Sequence, residues 1–315
     1  MPNGKSLAYV HLHRNITNEI RLYWFQNNSI IYSTRWLEHK SGGNNINITS
    51  IDDGNIPPLS NLNINFFEYK SLAPEGGEFL RQNSIVSLIA TFEAYLAIVY
   101  IRAIYISPET MQESKTQLLV KDIASSICGD NPWLSFAGLV ATKILWNMPL
   151  SDMIYKISSV VKFSANATSQ PLIDELVVFS SLRNAIVHNS RRVTPDLNKK
   201  WRSRFVDVDK AISTESRDVL RLSTLCLRVA ELIDNRFIVT IIKDKDGYLL
   251  SKELFVRYGL VNGKIREIVN SELNIKIKST DLDIWMAKWR RDEIVHDDYI
   301  FSESIFTYIA KKWDL

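Results

Sequence analysis

The chain has 315 residues, of which 46% are hydrophobic and 23% are charged, and its formal net charge is +3 at pH 7. This is the composition of an ordinary soluble globular protein with room for two or three domains. The small net charge means that nucleic-acid binding has to be inferred from a local basic patch. The only cysteines, Cys128 and Cys226, exclude a disulfide framework and a cysteine-rich zinc site. With no secretory signal at the N-terminus, they favour a cytoplasmic protein.

Residues 1–78 are predicted to form a small β-rich N-terminal domain. This stretch is rich in Asn and is interrupted by Gly-Gly and Pro-Pro pairs, which are typical of turns. His11 and His13 would alternate onto one face of a strand, where an exposed sheet face is favoured over a metal site because no third ligand is evident. The predicted strands are runs of aromatic and β-branched residues at 7–13, 19–25 and 29–36.

From about residue 80 onwards the apolar residues recur with helical spacing, and Pro74-Glu75-Gly76-Gly77 is predicted to mark the boundary. Two short strands at 238–242 and 248–250 are expected to flank a turn. Helices are expected over 78–106, 110–127, 132–146, 150–163, 171–189, 215–235, 251–258, 263–272, from 281 onwards, and over 301–313.

Residues 85–106 are long and apolar enough to resemble a membrane span. Glu93 and Arg102 lie inside this stretch, and ionised groups are costly in the core of a bilayer. A buried helix in a helical domain is therefore favoured, and no membrane association is expected.

Two hexads share one pattern of Arg, Asn or Asp, any residue, Ile, Val and His. The first is RNAIVH at residues 183–188, and the second is RDEIVH at residues 291–296. The chain has five histidines, and two of them end these hexads. The separation of the hexads is about the length of a small domain, which favours an internal duplication.

Helical geometry predicts what the first hexad exposes. At about 100° per residue, Arg183 and His188 lie about 140° apart, and Asn184 lies about 40° from His188. Ile186 and Val187 are expected to point towards the core. One helix would thus present an Arg and a His along a polar edge, and two such helices facing each other would form a cleft with two of each.

The paired hexads resemble the HEPN superfamily of helical ribonuclease domains, whose signature is Arg-x4–6-His near the end of a helix. Arg183, Asn184 and His188 match this form, as do Arg291, Asp292 and His296. The family pattern includes an acidic residue on the first helix, a role that Glu93 in the first half and Glu231 in the second are expected to fill.

The resemblance covers residues 80–315 and implies two HEPN-like helical bundles, residues 79–205 and 206–315, packed as a pseudo-dimer. Together with the strands predicted within residues 1–78, this gives an α+β protein that is mainly α-helical. The resemblance also implies a role in bacterial defence or in toxin-type growth arrest, with a homodimer or an antitoxin-like regulatory protein as the partner.

Such a cleft suits metal-independent endonucleolytic cleavage of single-stranded RNA, with no cofactor. Histidine titrates near neutral pH, so one imidazole can take the proton from a ribose 2′-OH while another protonates the leaving oxygen. Arginine binds phosphate oxygens and stabilises the additional charge of the transition state. Asn184 and Asp292 are expected to orient these groups, and DNA should resist because it lacks the 2′-OH.

The connector at 190–210 offers a candidate RNA-binding surface, because cations for phosphates and rings for unpaired bases are typical of single-strand binding. A solvated linker is the alternative for this segment. For the whole chain, the alternative to an enzyme is a helical RNA-binding or protein-binding module in which the hexads are structural. The candidate RNA-binding residues of the connector are Arg191, Arg192, Lys199, Lys200, Trp201, Arg202 and Arg204.

Overall fold

The computed structural model of the protein describes residues 4–50, 63–111, 120–127, 132–243, 245–291 and 302–315. Short 3-10 turns lie at Ile48–Ser50 and Pro108–Met111, and a π-helical turn at Ile238–Ile242 directly follows the eighth α-helix. The α-helices of the described residues are α1 (Leu7–Ser41), α2 (Phe66–Ile106), α3 (Val120–Ile127), α4 (Pro132–Leu145), α5 (Leu150–Val161), α6 (Gln170–His188), α7 (Pro195–Lys200), α8 (Ser216–Phe237), α9 (Lys245–Tyr258), α10 (Asn262–Leu273), α11 (Ser279–Arg291) and α12 (Ser302–Trp313).

The part of the chain that the structure describes contains no β-strand, only two isolated bridges, so the protein is all-α. The predicted α+β class with a β-rich N-terminal domain is therefore wrong. The helical-bundle character of the remainder is confirmed, and most predicted helices differ from the observed ones only at their ends.

Helix α1 replaces the three strands predicted within residues 7–36. The side-chain oxygen of Ser6 accepts a hydrogen bond from the Tyr9 backbone N–H at 3.1 Å, which caps the first turn. The buried side chains Leu12, Ile16 and Tyr23 recur at spacings of four and seven residues, which is helical periodicity. Aromatic and β-branched residues have only a weak intrinsic preference for strands, and burial of one helix face outweighs it here.

Helix α2 runs through the Pro74-Glu75-Gly76-Gly77 sequence that was predicted to end a domain. A proline inside a helix removes one backbone hydrogen bond, but Pro74 is exposed, so water can satisfy the carbonyl that loses its partner. By length and composition α2 is the one described helix that could cross a membrane, and half of its most apolar window is buried inside the protein. The absence of a membrane partner stays a prediction.

The hairpin predicted at 238–250 is also absent. Ile238, Ile241 and Ile242 are buried at a spacing of three and one residues on a π-helical turn, and Lys243 then takes a positive φ of 55°. The chain enters α9 at Lys245. Five β-branched, mostly apolar residues resemble a strand in composition, but their burial follows a helical turn.

The described residues form two compact units that share helices α1, α2, α6 and α8. The first unit takes its residues from 1–15, 91–177 and 225–315, and the second from 16–90 and 178–224. The predicted domain boundaries at residues 78 and 205 stay a prediction.

The first unit has an apolar core built mainly from α9, α10, α11 and α12, in which Leu254, Ile268, Leu282 and Ile309 are fully buried. A buried polar network lies at the start of α1. There the Asp246 carboxylate accepts the Leu7 N–H at 2.9 Å and forms an ion pair with Arg102.

The second unit contains an antiparallel hairpin made of α1 residues 16–41 and α2 residues 66–90. At the middle of this part of α2, Glu78 accepts hydrogen bonds from the Thr214 N–H at 2.8 Å and the Thr214 hydroxyl at 2.7 Å. The Gln82 amide donates to the Ile212 carbonyl at 3.0 Å. These contacts fix the hairpin to the segment that precedes α8.

Candidate catalytic and RNA-binding site

The first Arg-x4-His hexad forms the C-terminal end of α6, in the second unit. Ala185 and Ile186 are buried, with exposed fractions of 0% and 5%, and they hold this end of the helix against the core. Asn184 and His188 are exposed, and Arg183 is half-buried. Val187 is 46% exposed, so the prediction that it points inward is wrong.

A hydrogen bond orders the side chains along the polar edge of the hexad. Arg183 Nη1 donates a hydrogen bond of 2.9 Å to Asn184 Oδ1, which orients the guanidinium along the helix surface. Asn184 and His188 are four residues apart and therefore lie on the same side of α6. An anion that contacts this edge would meet a guanidinium, a carboxamide and an imidazole.

The chain reverses direction immediately after His188. Ser190 and Arg191 both have positive φ, of 50° and 62°. An antiparallel bridge then pairs Arg192 with Ala211, and the Val193 N–H donates to the Lys210 carbonyl at 2.9 Å. These bonds close residues 191–212 into one folded loop beside the end of α6, rather than a solvated linker.

Helix α7 and one tryptophan give this loop its own core. Thr194 caps α7 by accepting the Leu197 N–H at 3.1 Å, and Pro195 occupies the first helical position. Leu197 is fully buried. The Trp201 ring packs edge-on against Phe179 and Phe205, with centroid distances of 5.3 and 5.5 Å. The half-buried Trp201 is therefore a packing residue in this structure.

The structure divides the predicted RNA-binding cations into two groups. Arg204 forms an ion pair with the buried Asp218 and stacks on Trp201 at 4.9 Å, and Arg191 lies 4.1 Å from the centroid of the Phe79 ring. The hydrogen bonds to Asp218 raise the pKa of Arg204 above its ordinary value. The exposed remainder, which we call the basic surface, consists of Arg192, Lys199, Lys200 and Arg202.

Two members of the basic surface are held in place by local bonds. Lys200 Nζ contacts Ser181 Oγ at 2.9 Å and Asp196 Oδ2 at 3.0 Å. Arg192 Nη1 donates to the Asp209 carbonyl at 2.8 Å. Because Ser181 lies on α6, the first of these bonds ties the basic surface to the helix that contains the hexad.

An open pocket of about 380 Å³ lies in the same loop. Two cations, Arg204 and Lys210, and two carboxylates, Asp207 and Glu215, line it together with the apolar Phe205. Its balanced charge does not favour phosphate. It is large enough for a base-sized ligand.

The second hexad is only partly described. Arg291 is the last residue of α11, in the first unit, where it is exposed and its Nε donates to the Ala287 carbonyl at 3.2 Å. The predicted site residues Asp292 and His296 lie outside the described residues.

Glu93 lies half-buried on the part of α2 that belongs to the first unit. Arg102, further along the same helix, forms a buried ion pair with Asp246. The structure thus brings together Arg183, Asn184, His188 and the basic surface within the second unit, and it places Glu93 and Arg291 in the first.

Sequence reasoning missed a second polar cluster, on α1 in the first unit. Arg14 Nη2 lies 2.9 Å from His11 Nδ1, and the Asn15 amide lies 3.0 Å from His11 Nε2. Since a guanidinium only donates, the Arg14 contact requires a neutral imidazole that accepts at Nδ1 and carries its proton on Nε2. Burial, and then the charge of Arg14, lower the pKa of His11. The spacing of residues 11, 14 and 15 on one helix face would have revealed the cluster, had this stretch been read as a helix.

The paired histidines of the predicted strand are separated in the helix. His13 is exposed and lies two residues, or about 200°, from His11, so the two rings point to different sides of α1. Within the described ranges no three His, Cys, Asp or Glu side chains group in a way that could hold a metal ion. Cys226 is buried, and burial raises the pKa of its thiol. Cys128 lies outside the described residues.

Comparisons with known protein families, with characterised proteins and with solved structures give no match to this chain. The resemblance to HEPN domains therefore stays a prediction that depends on the two hexads.

Proposed function

We propose that the protein is a metal-independent endoribonuclease of the HEPN type that cleaves single-stranded RNA and uses both Arg-x4-His motifs. One observation supports this most directly. Arg183, Asn184 and His188 form an accessible polar edge at the end of α6, and Lys200 of the basic surface is bonded to the same helix. Side chains that suit phosphate binding and proton transfer therefore occur together in one compact unit.

The chemistry needs two proton-transferring groups and a phosphate ligand. One histidine removes the proton of a ribose 2′-OH, whose oxygen attacks the adjacent phosphorus. The bond from phosphorus to the 5′-oxygen breaks, and a second histidine protonates that oxygen. The products are a 2′,3′-cyclic phosphate and a free 5′-hydroxyl. His188 and His296 are the candidates for the two proton transfers, with Arg183 and Arg291 as ligands of the phosphate.

Asn184 has a positioning role in this mechanism. Its Oδ1 accepts the 2.9 Å hydrogen bond from Arg183 and so limits where the guanidinium can point. A guanidinium that is already oriented loses less side-chain entropy when it binds phosphate. Asp292 is the corresponding residue of the second motif. Glu93 would support the first motif as the acidic residue of the family pattern.

The test uses a labelled single-stranded RNA incubated with the protein in EDTA. We expect cleavage to persist in EDTA, and we expect His188→Ala, His296→Ala and Arg183→Ala each to slow it by about 10²–10⁴-fold. DNA of the same sequence should stay intact. His39→Ala is the matched control, since His39 is an exposed histidine in the last turn of another helix, α1. Undiminished cleavage by the double variant His188→Ala, His296→Ala would contradict the proposal.

A second candidate is a helical module that binds RNA without cutting it. It is favoured by the basic surface, which α7 and the bridge at Arg192 hold in place without any contribution from His188. RNA binding that salt strongly weakens, that His188→Ala leaves unchanged and that gives no cleavage product would support this function over the first.

As a nuclease of this type, the protein would act in the cytoplasm on cellular or invading RNA, in defence or in growth arrest. Such an activity has to be restrained in a growing cell. We therefore propose that a regulatory protein or a second copy of the chain controls it.

A further inference from the structure

The hairpin of the second unit, α1 residues 16–41 with α2 residues 66–90, has an outer face that the described residues do not cover. The two helices contact each other through the Lys70–Glu38 ion pair at 2.7 Å and at Gly76, where a Cβ atom would lie 3.9 Å from Ile30 Cδ1. At the tip, Leu37 and Phe66 are buried against Ile48.

Few side chains of the two helices are buried between these contacts. Every residue of α1 between Tyr23 and Leu37 is described, and none of them is buried. The same is true of α2 between Phe66 and Gly77. A two-helix hairpin with so little core cannot gain much stability from its own packing, and the side chains it exposes are unusually apolar.

Three exposed apolar residues on α1, together with Ser29, follow the spacing of a helix–helix interface. Leu22, Phe25, Ser29 and Tyr32 succeed one another at intervals of three, four and three residues, the pattern that packs one helix against another. Phe25 is 71% exposed, Tyr32 is 72% exposed and Leu22 is 50% exposed. We call these four residues the α1 stripe.

Helix α2 adds a second, shorter row. Leu72 and Phe79 lie seven residues apart and are 48% and 51% exposed, and Phe67 near the start of the helix is 53% exposed. Trp24 and Ile31 are also exposed on α1, about 100° around the helix from Phe25 and Tyr32.

The area of the exposed apolar side chains can be compared with that of ordinary surface patches and of protein interfaces. A large aromatic side chain covers roughly 150–250 Å², so Phe25 and Tyr32 alone leave roughly 200–350 Å² uncovered. With Leu22, Leu72 and Phe79 the exposed apolar area reaches roughly 450–650 Å². This lies at the upper end of the ~300–600 Å² of the largest patch on an ordinary monomer and below the ~800 Å² that each partner buries in a standard interface, as expected for a weak, concentration-dependent dimer.

The charges around the face identify the partner. Arg21 and Arg35 are exposed beside the α1 stripe, and Glu75 is exposed between Leu72 and Phe79 on α2. If the stripe met another copy of α1, arginines would face arginines. If it met α2 of another copy, arginines would approach Glu75, and twofold symmetry would form the same contact twice.

We propose that the hairpin is a dimerisation surface, on which the α1 stripe of each copy packs against Leu72 and Phe79 of the other copy. Two hairpins joined in this way form a four-helix bundle that buries the aromatic side chains. The proposal depends only on the hairpin, so it can fail or succeed independently of the nuclease activity.

The test is the oligomeric state of the full chain, measured by sedimentation velocity over a hundredfold range of concentration. We expect a monomer–dimer equilibrium that Phe25→Glu, Tyr32→Glu weakens at least 100-fold. Tyr155→Glu is the matched control, because Tyr155 is 77% exposed on α5 of the first unit and should leave the dimer intact. Circular dichroism and the thermal midpoint establish that each variant is folded.

A charge-reversal pair tests which helices meet. Arg21→Glu, Arg35→Glu should weaken the dimer by about tenfold, and adding Glu75→Arg should restore much of the loss. A chain that stays monomeric at every concentration would overturn the proposal. So would a dimer that the Phe25→Glu, Tyr32→Glu variant leaves unchanged. A monomer that uses the stripe to bind anionic lipid vesicles would overturn it in favour of a membrane surface.

Discussion

Arg202 and Arg204 stand two residues apart and have the same chemistry, yet the structure gives them different tasks. Arg202 is exposed on the basic surface. Arg204 binds both carboxylate oxygens of Asp218, whose side chain is 6% exposed and whose Oδ2 also accepts the Glu215 N–H at 2.6 Å. Arg204 thus neutralises a buried carboxylate that also caps the start of α8. A count of cations in the sequence cannot separate a phosphate ligand from such a counter-ion.

We therefore predict stability effects of very different size for the two arginines. Arg204→Ala should lower the free energy of unfolding by about 2–4 kcal/mol, because it leaves Asp218 buried without its counter-ion. Arg202→Ala should change it by less than about 0.5 kcal/mol. Urea unfolding of the two variants beside the wild type measures both values. Equal effects would show that the Arg204–Asp218 pair contributes little in solution.

The polar edge of the first hexad could be predicted from the angular positions of its residues around the helix. The wrong prediction for Val187 shows that this angular position, rather than the apolar character of a residue, decides whether its side chain is buried. At about 100° per residue Val187 lies about 40° from Arg183, between that residue and Asn184. It was assigned to the core because valine is apolar. Its 46% exposure follows from the rotation of the helix, which also turns Asn184 and His188 outwards.

At the scale of whole elements, most of the helices after residue 120 could be predicted from their apolar periodicity, whereas α1 and the start of α2 could not. The runs in α1 contain so many aromatic and β-branched residues that composition favours strands. The sequence features that indicate a helix here involve only a few residues. They are the cap at Ser6 and the helical spacing of Leu12, Ile16 and Tyr23. Gly76 and Gly77 suggested a turn, although neither has a positive φ.

The continuity of α2 through Gly76 gives a prediction with a matched control. Gly76→Ala should raise the free energy of unfolding by about 0.5–1 kcal/mol, since alanine favours a helix and its Cβ would lie 3.9 Å from Ile30 Cδ1, an ordinary contact. Gly42→Ala should lower it by about 1–2 kcal/mol, because Gly42 follows the end of α1 with a φ of +58°. Urea unfolding of the two variants and the wild type measures both changes in the free energy of unfolding. Destabilisation by Gly76→Ala would indicate a turn there.

At the scale of the molecule, the polar network at the start of α1 was beyond the reach of sequence reasoning. Asp234 accepts the Ser6 N–H at 3.0 Å from a position 228 residues further along the chain, and it also accepts the Ser6 hydroxyl. No local pattern indicates pairs so distant. A buried carboxylate needs such donors, because it would otherwise be too costly to remove from water.

This network predicts a dependence of stability on pH. Burial raises the pKa of Asp234 from its ordinary value of 3.8 to about 7. The Ser6 hydrogen bonds and the charge of Lys5 oppose this effect, and the neighbouring Asp246 adds to it. Below pH 4 the carboxyl is protonated in the folded and the unfolded chain. Between pH 4 and 7 only the unfolded chain releases the proton, so the free energy of unfolding falls as the pH rises and levels off above pH 7.

The variant Asp234→Asn removes this titration while keeping an oxygen that can accept the Ser6 N–H. We expect the thermal midpoint of the wild type to fall relative to that of Asp234→Asn between pH 5 and pH 8, by an amount that reflects on the order of 2–4 kcal/mol. Both proteins are measured in the same buffers, so the titration of all other groups cancels in the difference. A constant difference across this range would mean that Asp234 is ionised throughout, with Ser6 and Lys5 outweighing the effect of burial.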